Sequence, residues 1–219
     1  MTFLELCQRL RQETAISGSG PAAVTGRQGV EKRIVDWVNS AWMEIQRKHR
    51  DWLFMRKQFE FSTVAGVAEY SATSVDLPVA AWDLSTITCR RTNGDEALLE
   101  PVYYPDYQRY LAIGTQRNAR PSRVTVSPAK ALLLWQIPDD VYAIRGSYFA
   151  QPSLMVSNDD VPAMPEQYHE AIVFLAMQYY GRGEAASEVL MDGMVRYKSI
   201  MSMMEVEQLP EVELGGALA

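Results

Sequence analysis

The hydrophobic patterns along this chain predict an α+β protein: N- and C-terminal helices form an antiparallel bundle, with an antiparallel β-region inserted between them. Three observations carry that reading. Apolar residues recur at helical spacing within 1–57 and again within 160–205. Between them, 58–155 breaks into short alternating runs bounded by Gly, Pro and Asn. Inside that region, Asn93-Gly94 lies between two such runs and reads as a type I′ hairpin turn, which needs positive φ at both central positions. The remaining stretch, 206–219, is acidic and ends Gly-Gly-Ala-Leu-Ala, so a flexible tail is expected there.

The first helix opens on Thr2 with Glu5 three residues later, a capping-box pattern in which side chain and backbone satisfy each other's donors. Phe3, Leu6, Cys7 and Leu10 supply its apolar stripe, and it ends near Thr14. Residues 15–29 are rich in Gly, Ser, Ala and Pro and read as a loop closed by a second capping pattern, Thr25 with Gln28. A long helix is then expected from Gly29 to Trp52. Its face of Val30, Ile34, Trp37, Val38, Ala41 and Ile45 is widened by Val35 and Trp42, broad enough to imply more than one neighbour. Arg47, Lys48, His49 and Arg50 suit the negative end of its dipole.

Strands are expected around Phe59 and Phe61, within Val64–Tyr70, over Leu84–Arg91 and over Ala97–Val102. Pro105–Ile113 reads as a short helix on the flank of the sheet. Arg123–Ser127, Leu132–Ile137 and Tyr142–Phe149 are spaced as an antiparallel meander. Residues 152–164 read as a linker with a solvated acidic centre at Asp159 and Asp160. Pro165 starts a third helix with the stripe Tyr168, Ala171, Ile172, Leu175, Ala176 and Tyr179. Gly181-Arg182-Gly183 is expected to break it before a fourth helix, Glu184–Met204.

At 219 residues, with 47% hydrophobic and 22% charged residues, the chain has the composition of a folded protein. The net charge of −6 argues against a broad nucleic-acid-binding field. Residues 1–13 mix charged and apolar residues and lack the apolar run of a signal peptide, and no stretch has the length of a membrane span. Cys7 and Cys89 share no metal or redox spacing and read as reduced, partly buried thiols.

His49 and His169 are the only histidines, and neither belongs to a metal or protease pattern. Packing or capping is expected of His169. Gly18-Ser19-Gly20 lacks the lysine of a phosphate loop. No cofactor is therefore expected, and no catalytic or metal-binding residue stands out. An enzyme of unrecognised type would have to use Tyr103, Tyr104, Asp106 and Arg109. Three features instead suggest contacts with other chains: Trp37 and Trp42 on the broad helix; the run Met191, Met194, Met201, Met203 and Met204, with Leu209, Val212 and Leu214 beyond it; and Arg90 and Arg91 before the hairpin. Alternatives stay open for each. The methionines suit either a core or a subunit contact. The arginines, with Arg117, Arg120, Arg123 and the nearby tyrosines, suit a charged strand edge, a protein interface or nucleic acid.

Several segments together carry a resemblance. The strand Leu132–Ile137 ends at a proline, and Tyr142, Ile144, Gly146 and Tyr148 alternate along the next. Gln151-Pro152-Ser153-Leu154 and Asn158-Asp159-Asp160 follow, then Met164-Pro165-Glu166-Gln167-Tyr168-His169-Glu170-Ala171-Ile172. With the opening helix, the Gly/Ser loop and Val35–Ile45, this is similar to the head-to-tail adaptors of tailed bacteriophages, in the branch of podophage tail tubular and head-completion adaptors. The resemblance implies a structural subunit of the virion neck, assembled in the host cytoplasm as a dodecameric ring beneath the portal protein. It also implies contact with a downstream neck or tail protein, a lining for the DNA channel without sequence recognition, and no membrane. The reading that competes with it is a non-catalytic intracellular protein-binding module.

Overall fold

The computed structural model describes residues 1–18 and 20–210, which form five α-helices and two four-stranded sheets. The chain divides into two units. Met1–Met55 and the chain from Pro152 onward make a helical unit, and Arg56–Gln151 makes a β-unit.

In the helical unit, α1 (Phe3–Glu13) begins with the expected capping box: Glu5 N–H donates to Thr2 Oγ1 and Thr2 N–H to the Glu5 carboxylate. Its other free amides are capped from far along the chain, Phe3 N–H by the Asp160 carbonyl at 2.7 Å and Leu4 N–H by that of Asn158 at 3.2 Å. The acidic stretch is therefore no loose linker. The Asp160 carboxylate accepts from the Val156 and Ser157 amides and the Ser157 hydroxyl, which folds the stretch into a cap and holds the acid below the usual carboxylate range.

Helix α2 (Gly29–Lys48) ends four residues before Trp52. The chain turns back there, burying the Trp52 ring and leaving its indole N–H to donate to the Ile45 carbonyl at 2.9 Å. Thr25 is not its cap; Gln28 precedes the helix without a side-chain cap bond. Two side-chain amides on α2 grip the strap after Gln151 as a neighbouring strand would. Asn39 bonds both Met155 N–H and C=O, and Gln46 does the same for Ser153.

Helix α4 (Glu170–Gly183) is buried nearly all round and packs on α1, α2 and α5 (Ser187–Gln208). It runs through the glycines expected to break it. A Cβ on Gly181 would meet Leu190 at 2.7 Å, and one on Gly193 would meet the Phe174 carbonyl at 2.8 Å, so both glycines exist to let α4 and α5 approach closely. Helix α5 also runs three residues past the expected tail boundary at 205, and Leu209 packs on the helical core. Buried His169 has a packing role: one ring nitrogen bonds the Met164 carbonyl at 3.0 Å, the other the Met1 amine at 2.7 Å.

In the β-unit, one sheet has the order β1 (Arg56–Ser62), β8 (Ala143–Ala150), β3 (Val79–Arg90), β4 (Glu96–Leu98). The other has the order β2 (Glu69–Tyr70), β7 (Leu132–Trp135), β6 (Arg123–Val126), β5 (Glu100–Pro101). Both sheets contribute to one core that includes Phe59, Ile87, Leu132, Leu134 and Ile144. The expected meander stops after β7. Strand β8 crosses to lie between β1 and β3, and β5 pairs with β6 in parallel. Ala97–Val102 is not one strand, because the chain changes sheets between Leu98 and Glu100. Of Val64–Tyr70, only Glu69 and Tyr70 are paired. The Asn93-Gly94 turn does join two strands, but only Gly94 has positive φ. Gly94 N–H bonds Arg91 C=O and Arg91 N–H bonds Asp95 C=O, the three-residue hairpin with a bulge rather than type I′. The β6–β7 hairpin repeats those bonds, with Lys130 in the glycine position.

Candidate assembly surfaces

Helix α5 departs most from a simple amphipathic pattern. One side, with Gly193, Ile200, Met201 and Met204, is buried against the rest of the helical unit. The opposite side exposes Met191 (60%), Val195 (67%) and Val206 (88%), flanked by Met194 and Met203. Spacings of four and eleven residues bring Met191, Val195 and Val206 into one stripe. Lys198 is on that stripe, and among the described residues it makes no ion pair. One helix thus carries apolar residues on two sides, and only one side is used within the protomer.

The methionine run is accordingly divided. Met201 and Met204 belong to the core, while Met194 and Met203 are exposed. Helix α2 works the other way: most of its broad face is consumed inside the protomer, with Val30 half exposed and Val35 and Trp37 partly buried. Ile34, Val38, Ala41, Trp42 and Ile45 are all buried. Trp42 stacks with Phe54; half-buried Trp37 lies edge-on to Tyr180 and under the Arg33 guanidinium. Leu209 packs on the core, and Val212 and Leu214 lie outside the described residues.

A groove of about 700 Å³ runs beside α2, lined by Asp36, Ser40, Met43, Glu44, Leu154 and Tyr179, among others. Tyr179 donates its hydroxyl to the Glu44 carboxylate, and burial with that neighbouring charge pushes the phenol well above its usual range. At the end of α2, Lys48 Nζ and His49 Nε2 each lie 2.9 Å from Glu205, holding that acid below its usual range and bracing α5.

The β-unit offers a second exposed region, in the long connection from β5 to β6. Tyr104–Asp106 forms a single helical turn, α3, which continues as a wider turn over Tyr107–Leu111. Tyr103, Tyr110 and Ile113 project from it, each about 70% exposed. Tyr103, Asp106 and Arg109 are thus exposed on an outward turn, with Tyr104 partly buried. Arg91 is exposed and Arg90 half-buried on the rim of a shallow depression with Glu60 and Arg145. Arg120 is bound to Asp95 and to the Cys89 carbonyl; Arg123 is paired with Glu100 and covers Trp135. Those two arginines brace the loop to the sheet.

Both cysteines are free and buried. Burial pushes the Cys7 thiol up to about 12 and raises Cys89 as well, so both are protonated at neutral pH. Among the described residues, no His, Cys, Asp or Glu cluster is placed to hold a metal ion, and no helix is long and apolar enough to cross a membrane.

A family model described as SU10 adaptor protein matches residues 1–208, which covers both units and ends at the last residue of α5. No curated protein matches the chain.

Proposed function

Because the chain belongs to the SU10 adaptor protein family, we propose that it is a ring-forming subunit of the virion neck, seated beneath the portal protein and joining it to a downstream neck or tail protein. It works by packing and not by chemistry. The observation that carries this is the second side of α5, where Met191, Val195 and Val206, flanked by Met194 and Met203, are exposed with no occupant in the protomer. A large exposed apolar face on a folded unit marks a contact surface. The glycine-mediated packing of α4 on α5 holds that face rigid, so a neighbouring chain meets a preformed surface.

The titratable groups with displaced protonation also fit a structural role. His169 is kept neutral by burial and spent on backbone bonds, and Cys7 is kept as a thiol. The net charge of −6 suits a conduit that DNA passes through without sticking, since like charge repels the phosphate backbone.

The test is imaging and composition of virus particles together with mixing of purified chain and portal protein. A ring beneath the portal in the particles, with the chain present in many copies, is the expected result. A chain absent from purified particles, and monomeric with portal protein present, sinks the reading.

A further inference from the structure

We infer that two unlike patches of the helical unit are halves of one contact: the exposed stripe of α5 on one copy seats in the groove beside α2 on a neighbouring copy. This rests on the proposal that copies of the chain assemble side by side, and it adds which surfaces meet.

The stripe is convex, with Met191, Val195 and Val206 standing out and the polar residues Lys198, Ser199 and Ser202 between Val195 and Val206. The groove is its complement. Met43, Leu154 and the Tyr179 ring supply apolar surface, Asp36 supplies a carboxylate, Glu44 one that already accepts the Tyr179 hydroxyl, and Arg47, eleven residues from Asp36 along α2, a guanidinium. Its volume of about 700 Å³ has room for several side chains of a helix face. Lys198 and Asp36 make no ion pair among the described residues, so each brings an unspent charge of opposite sign.

The same lysine argues against the stripe meeting its own copy. Antiparallel pairing of two α5 stripes about their midpoint would bring two Lys198 ammonium groups together, and like charges facing each other in an interface are costly. A stripe-to-groove contact avoids that. It is also heterologous, one patch meeting a different one, which is the class of contact that closes into rings.

The experiment uses particles assembled in cells with a photo-crosslinking residue at the middle of the stripe, Val195→p-benzoylphenylalanine, and peptide mapping of the products. The expected product joins residue 195 to residues 36–47 or to Leu154 of a second copy. A product joining 195 to α5 of another copy, one joining 195 only to a different protein, or no product between copies overturns the contact while leaving the adaptor reading in place. Absence of the unsubstituted chain from the particles overturns both.

A charge exchange provides an independent arm. Lys198→Glu is expected to lower incorporation by roughly tenfold, and Asp36→Lys in the same chain to restore it. Melting of the purified protomer should be unchanged throughout. Full incorporation of Lys198→Glu, or no recovery with Asp36→Lys, also overturns the pairing.

Discussion

The helical unit and the β-unit bury their apolar residues by different means, and they leave different surfaces behind. In the helical unit a single helix, α4, is covered by its neighbours, and two glycines let α5 approach it at backbone distance. The surplus apolar surface is then a straight helix face, fixed in shape. In the β-unit, two sheets close over one core, and the surplus hydrophobics cluster in the long connection that carries Tyr103, Tyr110 and Ile113. Charge differs too. Residues 56–151 carry ten basic and ten acidic side chains, so the whole net charge of −6 falls on the rest of the chain. A rigid face favours one partner in one register, whereas a loop can adjust to its partner.

The comparison can be broken most strongly at two tryptophans that do the same job in the two units. Trp52 donates its indole N–H to Ile45 C=O, and Trp82 donates to Lys130 C=O, both at 2.9 Å. Replacing either with Ala should cost about 3–5 kcal/mol. Hydrogen exchange is the discriminating measurement. Trp52→Ala should speed exchange in α4 and spare β8, and Trp82→Ala should do the reverse. Equal loss in both places would mean that the units unfold together.

Next in size is Gly181→Ala. Its Cβ would press on the Leu190 backbone at 2.8 Å, so the substitution should destabilise by about 1–3 kcal/mol despite the better helix propensity of Ala. A stabilised variant in urea unfolding would show that the contact of α4 with α5 can open to admit the methyl group.

Acid should separate the units further. Burial lowers the folded-state pKa of His169, so an unfolded chain takes up a proton below about pH 6.5 that the folded one resists. That stability is present above pH 6.5 and lost as pH falls towards the folded value. Glu205, held down by His49 and Lys48, and Asp160, held down by Ser157 and two amides, add losses of the same sign below about pH 4. In the β-unit, burial instead raises Tyr70, Tyr148 and Cys89, which weakens the fold only in alkali. Urea midpoints read at α4 should therefore drop between pH 7 and pH 5, while those read at β8 hold. His169→Gln should remove the first step.

The smallest expected effect is on the exposed stripe. Val195→Ser should change protomer stability by less than about 0.5 kcal/mol, measured by thermal melting, because the side chain has no partner to lose. A drop of several degrees would place that face in the core.

Local chemistry was legible without coordinates. The capping box at Thr2 and Glu5, the helical stripes of α1, α2 and α4, the hairpin at Asn93-Gly94 and the α+β order all follow from spacing within a few residues of chain. The family resemblance, carried by the opening helix, the Gly/Ser loop, Val35–Ile45 and 132–172, agrees with the match over 1–208. The candidate surface was only partly legible. Met191, Met194 and Met203 share one run with Met201 and Met204, but all five have the same side chain, and the division between exposed and buried comes from which side α4 occupies. Gly181 and Gly193 carry no sequence mark that distinguishes a close approach from a break.

The sequence by itself determined where the first two helices start, which stretch alternates as β and that no known catalytic pattern is present, because those depend on neighbours a few residues apart. The expected starts at Pro165 and Glu184 fell short of α4 and α5, which begin at Glu170 and Ser187. Tertiary structure alone decided that β8 leaves β7 for β1 and β3, and that Asp160 caps α1. It alone decided that most of the broad face of α2 is spent inside the protomer while one side of α5 is not. Each is a pairing between distant segments, settled by which apolar surfaces and unsatisfied backbone groups meet once the chain has collapsed.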